Sequence, residues 1–310
     1  MVLEYRLEAT KKQLVIVANE RSSRPLVFGK TKVTCPFDKG VEKVTPPTKL
    51  ALPNERHWKT RVFDNAFAFL KRRGKFKPMK SGALYWTSPA FGEHEVIVES
   101  DRHGALYHEL GEEQLALVLQ TYQKRFRVLA GQKGVECAYL FKNHGLKAGA
   151  SIDHEHSQIV TMPFVPPVIQ AEIDANRKAG ECLHCALLKR ERKNVLGTQG
   201  SFTAVCPSYG RFPFETWVVP NEHVRTFNDF SAQDNRDFMR LLREVVARVY
   251  GVSHDYNIVF HNAPKTGDLH FHAEVCPRAS VWAGFELGTG ILVNPKTTEE
   301  ALTALRAVVV

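Results

Sequence analysis

The chain has 310 residues, 44% apolar and 24% charged, long enough to bury a sizeable core in two ordinary domains or one large one. No run approaches the ~20 apolar residues of a membrane span, and Met1 to Ala18 intersperses Glu4, Arg6, Glu8, Lys11 and Lys12 among its apolar residues, so a cytoplasmic protein without a membrane partner is expected. The net charge of +9 lacks long basic tracts and suits anionic small substrates better than nucleic acid, and the six cysteines suggest metal ligands or buried thiols instead of a disulfide framework.

In chain order, Cys35-Pro36-Phe37-Asp38 is followed by a strand-like run, His94 to Glu99, and then by His103. Leu115, Val118, Leu119, Tyr122 and Phe126 repeat with helical spacing, and Gly131 is a natural stop. Next come the strand-like Tyr139–Asn143, a run containing Gly145 and Gly149, and His154-Glu155-His156-Ser157-Gln158. In an extended strand His154, His156 and Gln158 share one face.

The same order then recurs. Cys182 and Cys185 precede the strand-like Glu215–Val219 and His223; Ser231 and Asp234 cap a helix carrying Phe238, Leu241, Leu242, Val245 and Val249, which Gly251 should end. Asn257–His261 and Leu269–Glu274 close the second copy. The register is kept: 270 − 154, 272 − 156 and 274 − 158 all equal 116. Two homologous α+β domains follow, 1–165 and 166–310, each an antiparallel sheet with a long helix packed on it. Pro163, Pro166 and Pro167 make the linker, because proline interrupts ladder bonding.

Matching the copies gives two four-ligand sets suited to zinc, Cys35/Asp38/His103/His154 and Cys182/Cys185/His223/His270. An iron or zinc site built from Glu172, His261, His270 and His272 competes for His270. The chemistry falls to the first copy, where glycines can bring backbone N–H groups to a phosphate, His156 can attack phosphorus and Gln158 can donate to the phosphoryl oxygens. The second copy has Glu274 in place of Gln158, and a carboxylate repels phosphate.

With Val15–Pro25, Arg61–Asn65, Asn143–Gln158, Arg211–Glu215 and Ala283–Gly290 in view, the chain resembles the galactose-1-phosphate uridylyltransferase family of the histidine-triad superfamily, including its ADP-glucose phosphorylase-like branch. The resemblance implies two tandem histidine-triad-like domains, the first catalytic, and His156 as the nucleophile of a ping-pong nucleotidyl transfer between a nucleotide sugar and a hexose 1-phosphate. UDP-glucose with galactose 1-phosphate is the preferred pair, and ADP-sugar phosphorolysis the alternative. It further implies Gln158 as donor to the transferred group and Arg21, Arg24, Asn65, Asn143, Gly149 and Ser151 near nucleotide or phosphates. Phe285 and Glu286 match a hexose-contacting segment often supplied by a partner subunit, which implies a homodimer. Glu155 stands where many uridylyltransferases have proline, and Ala66 replaces an acidic residue, so uridine and adenine both stay open. A reading of another class is a non-catalytic, zinc-stabilised nucleotide or nucleic-acid binder.

Overall fold

The alternating and β-branched runs become antiparallel strands, and the two helically spaced segments cover them, in a computed structural model that describes residues 2–23 and 34–310. The strands are β1 (Leu3–Glu8), β2 (Leu14–Ala18), β3 (Thr48–Leu52), β4 (Thr60–Asp64), β5 (Met79–Ser81), β6 (Tyr85–Pro89), β7 (His94–Val98), β8 (Cys137–His144), β9 (His156–Met162), β10 (Val195–Gln199), β11 (Phe202–Val205), β12 (Thr216–Pro220), β13 (Tyr256–His261) and β14 (His272–Pro277). The helices are α1 (Glu112–Ala130), α2 (Pro167–Ala179), α3 (Leu183–Arg190), α4 (Ala232–Val252), α5 (Gly284–Thr289) and α6 (Thr298–Ala307).

Among the described residues, ten strands form one sheet in the order β10-β11-β12-β14-β13-β8-β9-β7-β4-β3. Each half contributes the same internal order, read outward from the centre, and the halves join where β8 pairs with β13, Asn143 facing Asn257. The two sheets expected from the sequence are therefore continuous: each half's central strand satisfies the other's unpaired backbone groups. A smaller sheet, β2-β1-β6-β5, has no counterpart in the second half, and the repeat pattern predicts nothing of it.

Along each strand alternate side chains face opposite sides. Ile97, Leu140 and Ile159 point into the main core beneath α1, whose Leu115, Val118, Leu119, Tyr122 and Phe126 are all buried there, and the apolar stripe of α4 fills the same core. Ser231 caps α4 reciprocally with Asp234, its Oγ accepting from the Asp234 N–H at 3.1 Å. Gly251 does not end α4, which runs on to Val252; a Cβ at Gly251 would lie 2.7 Å from Val308, so this glycine permits close approach of the C-terminal segment. No helix among the described residues is long and apolar enough to cross a membrane.

Candidate functional site

The strand β9 starts at His156, with residues 151–155 arriving as irregular chain, so the expected row of three residues is broken after its first member. His154 turns to Cys35 and Asp38 and places its Nε2 2.8 Å from the Ser100 carbonyl. His156 and Gln158 instead line a cavity of about 180 Å³ with Phe37, Phe63, Asn65 and Ser151.

His156 Nδ1 sits 2.8 Å from the carbonyl oxygen of His154. A carbonyl only accepts, which puts the hydrogen on Nδ1 and the lone pair on Nε2. Phe37 and the imidazole pack edge to face, ring centroids 5.2 Å apart. Gln158 is oriented just as firmly. Its Oε1 accepts from His94 Nε2 at 2.8 Å and from Asn65 Nδ2 at 3.2 Å. The Phe69 N–H points at His94 Nδ1, which assigns the His94 hydrogen to Nε2. With the oxygen committed to two donors, the Gln158 N–H groups are what the side chain offers a ligand. His94 was read from the sequence only as the first residue of a strand. Its orienting role has no local signal, since its partner lies 64 residues away.

Of the residues matched to nucleotide or phosphate contacts, Asn65 and Ser151 lie at this cavity. Gly149 takes a positive φ of 86° in the loop that leads to it, with open space where a Cβ would stand. Arg21 donates to the Phe67 carbonyl at 2.8 Å, on the segment following Asn65. Arg24 lies outside the described residues. Asn143 accepts from Asn257 at 2.8 Å and borders a second cavity of about 480 Å³ that reaches across to His261 and Glu274. Phe285 and Glu286 are not brought to His156. They sit on α5, where Phe285 is 54% exposed beside the exposed Leu287 and Ile291.

Both expected ligand sets come together. The candidate ligand atoms of Cys35, Asp38, His103 and His154 lie within 4.8 Å of one another, as do those of Cys182, Cys185, His223 and His270. Cys35 Sγ is 3.8 Å from His154 Nδ1, and both Cys182 Sγ and Cys185 Sγ are 3.4 Å from His270 Nδ1. A tetrahedral zinc with bonds of about 2.1–2.3 Å has edges of roughly 3.4–3.8 Å, so the donor types and spacings fit that ion. Burial pushes the Cys35 and Cys185 thiols up to about 11, a cost that a bound cation reverses. The two groupings that could share His270 lie apart in the structure. Its Nδ1 faces the cysteines and its Nε2 lies 3.0 Å from the Pro220 carbonyl, while Glu172, His261 and His272 form a separate group.

The second half repeats the local geometry with different surroundings. His272 Nδ1 lies 3.0 Å from the His270 carbonyl, as His156 does from His154. The imidazole of His184 stacks on His272 at 4.0 Å, and Trp217 packs at 5.5 Å. Glu274, at the position of Gln158, is ion-paired with Arg211, which also holds Glu215 at 2.8 Å. Burial opposes ionisation of Glu274, yet His261, His272 and Arg211 hold its carboxyl far below the usual range.

The model for the N-terminal domain of galactose-1-phosphate uridyl transferase matches residues 3–166. The chain is 28% identical to an ADP-glucose phosphorylase of Arabidopsis thaliana, over 98% of this chain and 93% of that protein. It is 29% identical to a galactose-1-phosphate uridylyltransferase of Thermotoga maritima, over 98% of each. The crystal structure of an ADP-glucose phosphorylase from Arabidopsis thaliana with bound ADP-glucose is similar with a TM-score of 0.79 at 27% identity, covering 96% of both chains.

Proposed function

Since the chain belongs to the galactose-1-phosphate uridyl transferase family, we propose that it moves a nucleoside monophosphate between a nucleotide sugar and a hexose 1-phosphate through His156. The observation carrying this reading is the tautomer: Nδ1 is committed to the His154 carbonyl at 2.8 Å, so Nε2 is the nucleophilic nitrogen at the cavity that Gln158 also lines. Nε2 forms a bond to the α-phosphorus as the bond from phosphorus to the hexose-phosphate oxygen breaks. The departing group leaves as a phosphate anion and needs little protonation, and Gln158 donates to the oxygens of the transferring group. An acceptor phosphate then attacks the same phosphorus and releases the histidine, which completes a ping-pong cycle.

UDP-glucose with galactose 1-phosphate is the leading substrate pair. Phosphorolysis of ADP-glucose, with inorganic phosphate as acceptor, is the second reading. It is favoured by the match to the Arabidopsis phosphorylase over nearly the full chain and by Glu155 between the two histidines. The remaining parts of the proposal are a catalytic half up to residue 165 and a supporting half beyond it, zinc at both four-residue groups, a cytoplasmic location and a homodimer. In that dimer Phe285 and Glu286 serve the partner's site, which accords with the exposure of Phe285.

Intact-mass measurement after mixing with UDP-glucose or ADP-glucose tests the proposal. A gain of one nucleoside monophosphate in the wild type and none in His156→Ala is expected, and the size of the gain names the base. No adduct with any nucleotide sugar, together with steeply salt-dependent nucleic-acid binding, would favour the non-catalytic reading instead.

A further inference from the structure

Beneath the catalytic strand, on the face turned toward α1, lies a buried ionic network that the proposed chemistry does not use. Lys142 Nζ is 2.6 Å from Glu99 Oε2, is ion-paired with Glu155, and donates to the His156 carbonyl at 3.4 Å. Glu155 Oε1 is 2.8 Å from His144 Nδ1 and accepts from the Tyr107 N–H at 3.3 Å. Glu99 also accepts from the hydroxyls of Tyr122 and Ser157, and its N–H donates to the Glu155 carbonyl at 3.0 Å. Lys142, Glu99 and Glu155 are each buried.

The duplicated half provides an internal control. Lys142 pairs with Ser157 across β8 and β9, and the register of β13 and β14 sets Phe260 against Ala273 in the same way. Counting two residues back from Ser157 and from Ala273 matches Glu155 with Phe271, and two on from Ile97 and from Val218 matches Glu99 with Pro220. Phe260, Phe271 and Ala273 all belong to the apolar core. The same backbone is thus completed without charge in the half that carries no nucleophile. Burying ions costs free energy that an apolar replacement avoids, so the network in the first half asks for a reason other than folding.

That reason lies in where β9 begins. His156 is its first residue, so the peptide between His154 and Glu155, whose carbonyl holds the imidazole, sits ahead of the strand. Metal-type partners restrain the His154 side chain on one side of that peptide, and the ionic network grips Glu155 on the other. We infer that Lys142, Glu155 and Glu99 are positioning residues that lock the His154–Glu155 peptide, and through it the orientation of the His156 imidazole for attack on phosphorus. The inference rests on His156 being the nucleophile and assigns a specific purpose to the acidic residue between the two histidines.

Three variants test it: Lys142→Met, Glu155→Gln, and the combined Lys142→Met/Glu99→Gln/Glu155→Leu, which like the second half carries no charge at these three positions. The readouts are the single-turnover rate of His156 nucleotidylation by rapid quench, the KM for whichever of UDP-glucose and ADP-glucose labels the wild type, and the melting temperature. The expected result is a rate lowered by about 10- to 100-fold with KM nearly unchanged, while the combined variant melts no lower than the wild type. A combined variant that reacts at the wild-type rate overturns the inference, and so does one that fails to fold, because the network would then be structural. If the wild type itself acquires no adduct, the assignment of His156 falls and this inference falls with it. If the wild type is labelled and the variants match it, only the positioning role is lost.

Discussion

Replacing Gln158 by glutamate tests the electrostatics of the cavity more sharply than deleting it does. The change is nearly isosteric and preserves the acceptor that receives His94 Nε2 at 2.8 Å and Asn65 Nδ2 at 3.2 Å. What it removes is the N–H donor, and what it adds is a negative charge beside the transferring phosphoryl group. Losing one donor to developing charge costs about 3 kcal/mol, and this is the whole expected effect of Gln158→Ala, a rate lowered roughly 10²-fold. A second negative charge about 4 Å from the phosphoryl oxygens adds repulsion of about 4 kcal/mol at an effective dielectric constant near 20. The His94 and Asn65 N–H donors that stay on the residue-158 oxygen offset part of this. The net expectation is a Gln158→Glu enzyme slower than Gln158→Ala by about 10- to 100-fold, read as single-turnover labelling of His156. The second half shows what a carboxylate requires at this position, since Glu274 is met by the guanidinium of Arg211. Equal rates for the two variants, or a faster glutamate variant, would refute the reasoning.

Three further outcomes are expected. Native protein should carry close to two zinc ions per chain by elemental analysis, and Cys182→Ser should lose one and lower the melting temperature; a metal-free native protein with undiminished stability would show that the two groups are only hydrogen-bonded clusters. Acid should weaken the fold: Asp101 resists the upward push of burial through Lys59 and Lys39, and Glu93 does so through Gln132 and Lys49. Their folded-state values lie below their unfolded ones, so this stability is complete above the unfolded pKa and fades as pH falls below about 4.5. Urea midpoints unchanged between pH 7 and pH 3 would contradict this. Finally, Phe238 is fully buried, its ring 5.5 Å from both Phe202 and Phe271, and Phe238→Ala should cost about 3–5 kcal/mol in chemical denaturation, with a loss under 1 kcal/mol excluding the packing described.

Much of the site was legible because it is repeated. The constant offset of 116 residues matches His154 with His270 and His156 with His272, and through them the two ligand sets that the structure assembles. The reading of His154, His156 and Gln158 as one row failed at its first member, because a period-2 pattern cannot tell where the ladder begins. The end of α4 was misplaced for a similar reason. Gly251 looks like a stop in the local pattern, but Val308, more than fifty residues on, is what requires it to be glycine.

By itself the sequence determined the two long helices and the repeated strands beside them, their duplication, the chemistry of the ligand sets and the identity of the nucleophile candidate. All of these follow from residue types and short-range periods, which act along the chain. Only the tertiary structure decided which side chains meet: Asn65 and His94 on Gln158, His270 with the cysteines, the junction of β8 with β13, and the ions under β9. Those meetings depend on strand register and on which face each residue takes within a sheet ten strands wide among the described residues. Each strand's own pattern sets which face it buries, but the partner it pairs with lies far away in the chain and leaves no mark in the spacing of one segment.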